Sequence, residues 1–417
     1  MAIPASPMER SQKNLSVWLG WLQPASWWGQ CILLWLTVLV ILTAVGLITA
    51  RMVDLREGVP PDIKVSPDSI PGIWVRWDSG YYVHLASRGY ASSPDAMGFF
   101  PLYPLLMAGL SHITGLDLYI SGMLIAQLSY LAAILLLYKL ARLTRDSHAY
   151  AMRCVTLMVL FPSSFFFFAV YAEPLYLALS ILGVYLALRT SPRYEQAGLA
   201  LGLASAARPV GWLSDIVLVG EFIKRRKFTW PSFLSLGIGL ALSVCGIVLF
   251  VVYLYSITGT FWAIPRAQAL WMRHWQYPWI TYWKSISIAV TGNRVPGDWF
   301  LYTINWVDLF FTTLALILTA LAIWRSFRNG FNWSLSLYLV GSLIFVLSTE
   351  GPSQTGSMGV DVVPLWGMTR WVAALFPLFL VLGDLGENKN VHKIIIFISA
   401  GLLLLFSAWW ISGRWVG

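Results

Sequence analysis

Residues 31–50 read CILLWLTVLVILTAVGLITA, an unbroken apolar run. It is about as long as the ~20 residues that carry a helix across a bilayer. Similar runs recur at roughly 119–140, 151–171, 173–189, 231–256, 299–324, 333–349, 362–383 and 394–412. Composition agrees. The 417 residues are 58% hydrophobic and only 11% charged, with a mean hydropathy of +0.69. A soluble domain would carry about a quarter charged residues. Only helices and closed barrels satisfy their backbone inside lipid. The sequence therefore predicts an all-α polytopic membrane protein. No hydrophilic stretch is large enough for a soluble domain, so 1–417 reads as one integral domain.

The net charge of +9 does not point to nucleic acid, because membrane proteins collect Lys and Arg in cytoplasmic loops. Cys31, Cys154 and Cys245 fall in or beside apolar runs and read as small hydrophobes. The first run lacks a small-residue cleavage site and is not read as a cleaved signal. The five histidines are scattered, with no spacing that would hold a metal. No phosphate-binding loop or dinucleotide glycine pattern occurs.

Residues 197–222 are too long for one helix and too short for two full crossings at about 1.5 Å per residue. Arg208-Pro209 divides them, so they read as a re-entrant-like hairpin. Counting the hairpin as two gives about eleven transmembrane segments. With the N-terminus inside, the inner loops hold 16 of the 28 basic residues, including Lys224-Arg225-Arg226-Lys227. That sets the orientation. The first outer loop is then 51–118. Its start is rich in proline (Pro60, Pro61, Pro67 and Pro71). Farther on, Trp74, Trp77, Tyr81, Tyr82 and Leu85 fit one face of an interfacial helix. Pro101 and Pro104 argue against a full crossing at 98–114. A second outer loop, about 257–297, mixes five tryptophans with Arg266, Arg273 and His274, as in an aromatic belt. It could also shape a lipid head-group or sugar site.

The chemistry gathers in the first loop, in Arg76-Trp77-Asp78-Ser79-Gly80-Tyr81-Tyr82 and Phe99-Phe100-Pro101-Leu102-Tyr103-Pro104. A carboxylate, an arginine and several rings at a membrane surface suit sugar transfer from a lipid carrier. Asp78 can act as a base; its alternative is a structural pair with Arg76. Asp95 is a helper or a loop acid. Glu173, just before Pro174, is a site residue or a carboxylate at a helix N-terminus. Arg208 and Arg370 stand among apolar residues and need anions. For Arg370 the alternative to a phosphate is Asp361. For Arg208 it is Glu173 or Asp215.

These residues resemble a family. The two first-loop motifs, with Arg88-Gly89-Tyr90 between them, are similar to the first outer loop of the second mannosyltransferase of glycosylphosphatidylinositol-anchor assembly and its prokaryotic relatives. Phe161-Pro162 with Tyr171-Ala172-Glu173, Ala207-Arg208-Pro209-Val210-Gly211, and Arg370 with Phe376-Pro377-Leu378 follow in the family's order. Ala172 stands where relatives often have Ser, and Trp371 where Tyr is common. The resemblance implies a C-type membrane glycosyltransferase with Asp78 as the catalytic acidic residue. Arg208 and Arg370 become candidates for the donor phosphate, with Arg76, Glu173, Trp77, Tyr81 and Tyr103 as further substrate-binding residues.

The expected activity is inverting transfer of a sugar, mannose by resemblance, from a polyprenyl-phosphate donor to a lipid-linked or other acceptor hydroxyl. The expected place is the outer face of the cell membrane. No metal or cofactor is expected. The partners are the lipid donor, the acceptor and membrane lipids. The rival reading is a transporter or flippase for lipid-linked saccharides, which would need repeats or paired interrupted helices.

Overall fold

The computed structural model describes residues 26–53, 63–226, 228–291, 299–328, 330–351 and 363–416. The chain is almost wholly helical there. Helix α1, Trp27–Met52, begins at Ser26, whose hydroxyl accepts the Gly29 N–H. In the first loop, α2 (Ser79–Arg88) and α3 (Leu102–Thr114) follow. Next come α4 (Leu118–Thr144), α5 (His148–Val159), α6 (Glu173–Leu188), α7 (Tyr194–Ala207) and α8 (Asp215–Arg225). The second half contains α9 (Trp230–Thr258), α10 (Ala263–Leu270), α11 (Pro278–Thr291), α12 (Trp299–Arg328) and α13 (Trp333–Leu347). It ends with α14 (Met368–Ala374), α15 (Pro377–Leu385) and α16 (Lys389–Ile411).

Among the described residues, five helices are long and apolar enough to cross a membrane: α1, α4, α9, α12 and α16. The pair α14–α15 makes a sixth if counted as one span bent by 80°. The expected uniform passes at 151–171 and 362–383 are therefore both interrupted. The cause is local in each case. Pro162 has no N–H to continue α5, and the Ser164 hydroxyl donates to the Val159 carbonyl at 2.7 Å. Pro377 opens α15 and restricts the residue before it, so α14 cannot run on. The hairpin expected at 197–222 is present as α7, a tight turn at Pro209–Ser214, and α8.

One large buried cluster joins most of the helices, with Phe165, Phe166, Phe167 and Phe168 fully buried within it. A smaller cluster fastens the first-loop residues Leu85, Tyr90 and Phe100 to Phe250 and Leu254 of α9 and Ala263 of α10. Lipid tails are as apolar as leucine, so helices in a membrane associate through close van der Waals contact between small residues. That is how α7 meets α9. A methyl at Gly198 would lie 2.0 Å from the Gly239 carbonyl oxygen, and one at Gly246 would lie 2.0 Å from that of Gly202. Gly246→Ala should therefore destabilise the protein by about 1–3 kcal/mol, as overpacking does. Thermal unfolding in detergent measures this; an unchanged midpoint would mean that the helices separate there at no cost.

Two short strands tie the second loop to the end of α13. β1, His274–Trp275, pairs antiparallel with β2, Thr349–Glu350, in the register His274 to Glu350. Glu350 is fully buried and takes Lys284 at 2.8 Å and His274 at 3.3 Å.

Candidate active site

Four charged side chains from four separate elements meet beneath the first loop. Asp78 immediately precedes α2, and its carbonyl accepts the Tyr82 N–H. The residue before it, Trp77, has φ +50°, a left-handed conformation that a bulky side chain rarely adopts. Strain of that kind persists only where the surroundings over-determine it, and it clusters at functional sites. Arg370, on α14, donates from Nη1 to Asp78 Oδ2 at 2.7 Å. Its Nε lies 3.1 Å from Glu173 Oε1. Arg208, at the C-terminal end of α7, pairs with the same Glu173 oxygen.

The group is graded in depth. The Asp78 side chain is 18% exposed and that of Arg370 12%, against 7% for Arg208 and 2% for Glu173. Asp78 thus stands at the open end. Its Oδ1 takes no hydrogen bond among the described residues. Glu173, at the start of α6, has Oε2 buried and without a hydrogen-bond partner among the described residues. Rings wall the arginines. The Arg208 guanidinium lies 4.0 Å from the Trp371 ring, and that of Arg370 between 5.4 and 5.6 Å from Phe166, Tyr171 and Trp415.

Arg370 owes its place to Asp308. This fully buried carboxylate on α12 accepts the Gly367 N–H, the Thr369 N–H and the Thr369 hydroxyl, the last at 2.7 Å. The Ser163 hydroxyl donates to the Thr369 carbonyl. Sequence reading missed Asp308, although the signal was there: a carboxylate inside an apolar run is rare and needs partners.

The structure corrects the pairing of Asp78 with Arg76. Arg76 is fully buried, and among the described residues its guanidinium donates to backbone carbonyls. Nη1 reaches Gly72 at 2.6 Å and Val75 at 3.2 Å, Nη2 reaches Pro67 at 3.0 Å, and Nε reaches Ile411 at 3.4 Å. It braces the loop against the end of α16 instead of joining the charged group. For Arg208 the anion is Glu173; Asp215 accepts from Ser243 instead. Asp361 lies outside the described residues, and the anions of Arg370 among those described are Asp78 and Glu173.

The predicted ring residues separate. Tyr103 is fully buried, donates to the Gly122 carbonyl at 2.9 Å, and meets Tyr82 edge-on, so it supports α2 from below. Tyr81 stacks on Phe99 at 4.9 Å with Trp271 of the second loop edge-on at 5.2 Å. Burial, and then the nearby Asp95 carboxylate, hold the Tyr81 phenol above its usual range. Trp77 meets Trp415 edge-on at 5.6 Å. Among the described residues, no three His, Cys, Asp or Glu side chains converge as a metal site would require.

The fold of this chain has counterparts among solved structures. It is similar to the crystal structure of ArnT from Cupriavidus metallidurans bound to undecaprenyl phosphate, with a TM-score of 0.51 and 12% identity. The match covers 88% of this chain, which spans 63% of that one. The archaeal oligosaccharyltransferase AglB from Archaeoglobus fulgidus, in complex with an inhibitory peptide and a dolichol-phosphate, gives 0.41 at 12% identity, over 92% of this chain and 56% of that one. Residues 31–224 match the family model described as mannosyltransferase (PIG-V). Asp78, Glu173 and Arg208 fall within it, and Arg370 lies beyond. No curated protein matches.

Proposed function

We propose that this protein is an inverting glycosyltransferase that moves mannose from a polyprenyl-phosphate donor to an acceptor hydroxyl, with Asp78 as general base. One observation carries the reading. Asp78 is gripped at Oδ2 by Arg370 and keeps Oδ1 free at the open end of the group. A base must be held, yet have an oxygen within reach of the proton it removes.

The reaction balances without a further reagent. The acceptor oxygen attacks the anomeric carbon as its proton passes to Asp78 Oδ1. The bond from that carbon to the phosphate oxygen breaks, and its electron pair leaves with the polyprenyl phosphate. Direct displacement inverts the anomeric centre, and one carboxylate suffices where most hydrolases use two. Arginine near the departing phosphate lowers the cost of its charge. Glu173 and Arg208 are positioning residues: Glu173 holds Arg370 from behind, and Arg208 holds Glu173. The family model for residues 31–224 and the lipid phosphate in the ArnT structure support a lipid-phosphate donor.

Purified protein given radiolabelled polyprenyl-phosphate mannose and a lipid acceptor extract tests the reading. A labelled product of inverted anomeric configuration is expected. No transfer, or retained configuration, ends it. A flippase would move lipid without breaking the glycosidic phosphate bond.

The proposed topology is eleven passes within the cell membrane, with the 51–118 loop and Asp78 on the extracytoplasmic side. The charge distribution supports it: Lys224, Arg225 and Arg226 end α8, and Arg142 and Arg145 end α4, all in short connections. Ser66→Cys and Ser191→Cys, both at exposed positions, should label oppositely with an impermeant thiol reagent in intact cells. A Cys245→Ser background removes the exposed native thiol. Ser66→Cys should react and Ser191→Cys should not; the reverse pattern puts the chemistry in the cytoplasm.

A further inference from the structure

The segment that follows α16 brings a ring to the charged group. The helix stops at Ile411 in a reversal whose two defining hydrogen bonds are both made. The Gly413 N–H donates to the Trp410 carbonyl at 3.2 Å, and the Arg414 N–H to that of Trp409 at 3.0 Å. Gly413 has φ +89°, which the turn requires and which a side chain would resist. The reversal is anchored on both sides. Before it, Trp410 and Ile411 are fully buried, and the Ile411 carbonyl accepts from Arg76 Nε at 3.4 Å. Beyond it, Val416 is fully buried. Half-buried Trp415 lies between these anchors.

Of the rings around the Arg370 guanidinium, Phe166 and Tyr171 are fully buried parts of the core, while Trp415, at 5.4 Å, comes from this segment. Among the described residues, Trp415 is the one of the three that also meets Trp77, edge-on at 5.6 Å. Its other side stacks near Trp366 at 6.4 Å, next to Gly367, whose N–H Asp308 holds. Trp415 therefore touches both halves of the contact between Asp78 and Arg370. Trp77 precedes Asp78 and is held at φ +50°, a conformation that lasts only where neighbours enforce it. Arg370 spends Nη1 on Asp78 and Nε on Glu173, which leaves its planar faces to the rings. Indole attracts such a cation more strongly than phenyl or phenol does.

We propose that Trp415 is a positioning residue for the transfer: its indole holds the Arg370 guanidinium in register with Asp78 Oδ2 and braces Trp77, so that Asp78 presents Oδ1 to the acceptor hydroxyl. This rests on the reading of Asp78 as the base and deepens it. The position lies outside residues 31–224, which match the family model. Without the indole, Arg370 keeps both carboxylates but loses the wall that fixes its plane. The loss then falls on turnover, because a base displaced by a fraction of an ångström is a poorer base.

The test is the initial rate of transfer by the full-length protein in detergent, from radiolabelled polyprenyl-phosphate mannose to a lipid acceptor extract. It compares wild type, Trp415→Phe, Trp415→Leu, Asp78→Asn and the double variant Asp78→Asn with Trp415→Leu. Trp415→Leu should lower kcat by about five- to thirtyfold, the worth of a desolvated cation–π contact applied to a barrier. Donor KM should stay as in wild type, and Trp415→Phe, which keeps a ring, should recover most of the loss. In the Asp78→Asn background Trp415→Leu should cost no further turnover, since the base it positions is already gone. Wild-type turnover by Trp415→Leu overturns this inference alone. A raised donor KM with kcat intact makes Trp415 a substrate contact and overturns the positioning role. The same fractional loss in both backgrounds makes it a structural residue and overturns the role as well. A wild type that transfers no sugar overturns the functional reading and this inference with it. Should Trp415→Leu not fold, mono-, di- and trifluorotryptophan placed at position 415 decide, because fluorine drains the negative face of the ring while keeping its shape. Turnover that falls with each added fluorine supports the proposal, and turnover indifferent to fluorination overturns it.

Discussion

Asp78→Asn is expected to lower turnover by about 10²-fold or more while leaving expression and donor binding intact. The size is that of losing general-base assistance, which contributes roughly 10²–10⁴. The reason for intact folding is local. Asparagine keeps the shape of the side chain and still offers an oxygen to Arg370 Nη1, which now makes a 2.7 Å bond to Asp78. Arg370 also keeps Glu173, 3.1 Å from its Nε, so the substitution leaves it with a counter-charge. The readout is initial rate under saturating donor, with donor affinity measured separately. Turnover near that of wild type would remove Asp78 from the chemistry. A parallel loss of donor binding would instead make it a structural partner of Arg370. A flippase should be indifferent to this change, so the same variant separates the two classes of function.

The second large effect concerns Glu173. Its side chain is only 2% exposed and answers two arginines, Arg208 and Arg370. Removing one partner of a buried charge pair is strongly destabilising, by about 3–5 kcal/mol, because the partner stays buried without compensation. Glu173→Gln should therefore unfold at markedly lower temperature than wild type, or fail to accumulate. Arg208 suffers most, since Glu173 is its only ion-pair partner among the described residues, whereas Arg370 retains Asp78. Arg208→Met should destabilise through the opposite charge. Combining Glu173→Gln with Arg208→Met removes both charges of that pair, so the double variant should be more stable than the two single losses would add up to. Thermal unfolding of the four proteins in one detergent gives the coupling. Single variants as stable as wild type would show that water or lipid, not the ion pair, solvates these groups.

Much of this was legible beforehand. The long apolar runs dictate a helical membrane protein, because a backbone in lipid must satisfy itself within each helix. The hairpin at 197–222 followed from length and from the break at Arg208-Pro209: α7 has 14 residues and α8 has 11, each short of a full crossing. The need of Arg208 and Arg370 for anions was equally plain from their apolar surroundings. The interruption of 151–171 was less so. Phe161-Pro162 sits within a run whose hydropathy suits a span, and the proline outweighs hydropathy because it removes a backbone donor.

What the sequence determines by itself is therefore the solvent each segment needs and the charges that cannot stand alone there. Which charge answers which is decided by the tertiary structure. Asp78 lies two residues after Arg76, yet its partner is Arg370, 292 positions away. Arg76 instead caps carbonyls from its own loop and from Ile411. The physical reason is that sequence neighbours on an irregular loop have no fixed relative orientation. Helices packed at glycine contacts and pinned by buried Asp308 hold distant side chains within 3 Å or so of one another. A buried ion pair is then selected by that geometry and by the cost of leaving either charge uncompensated.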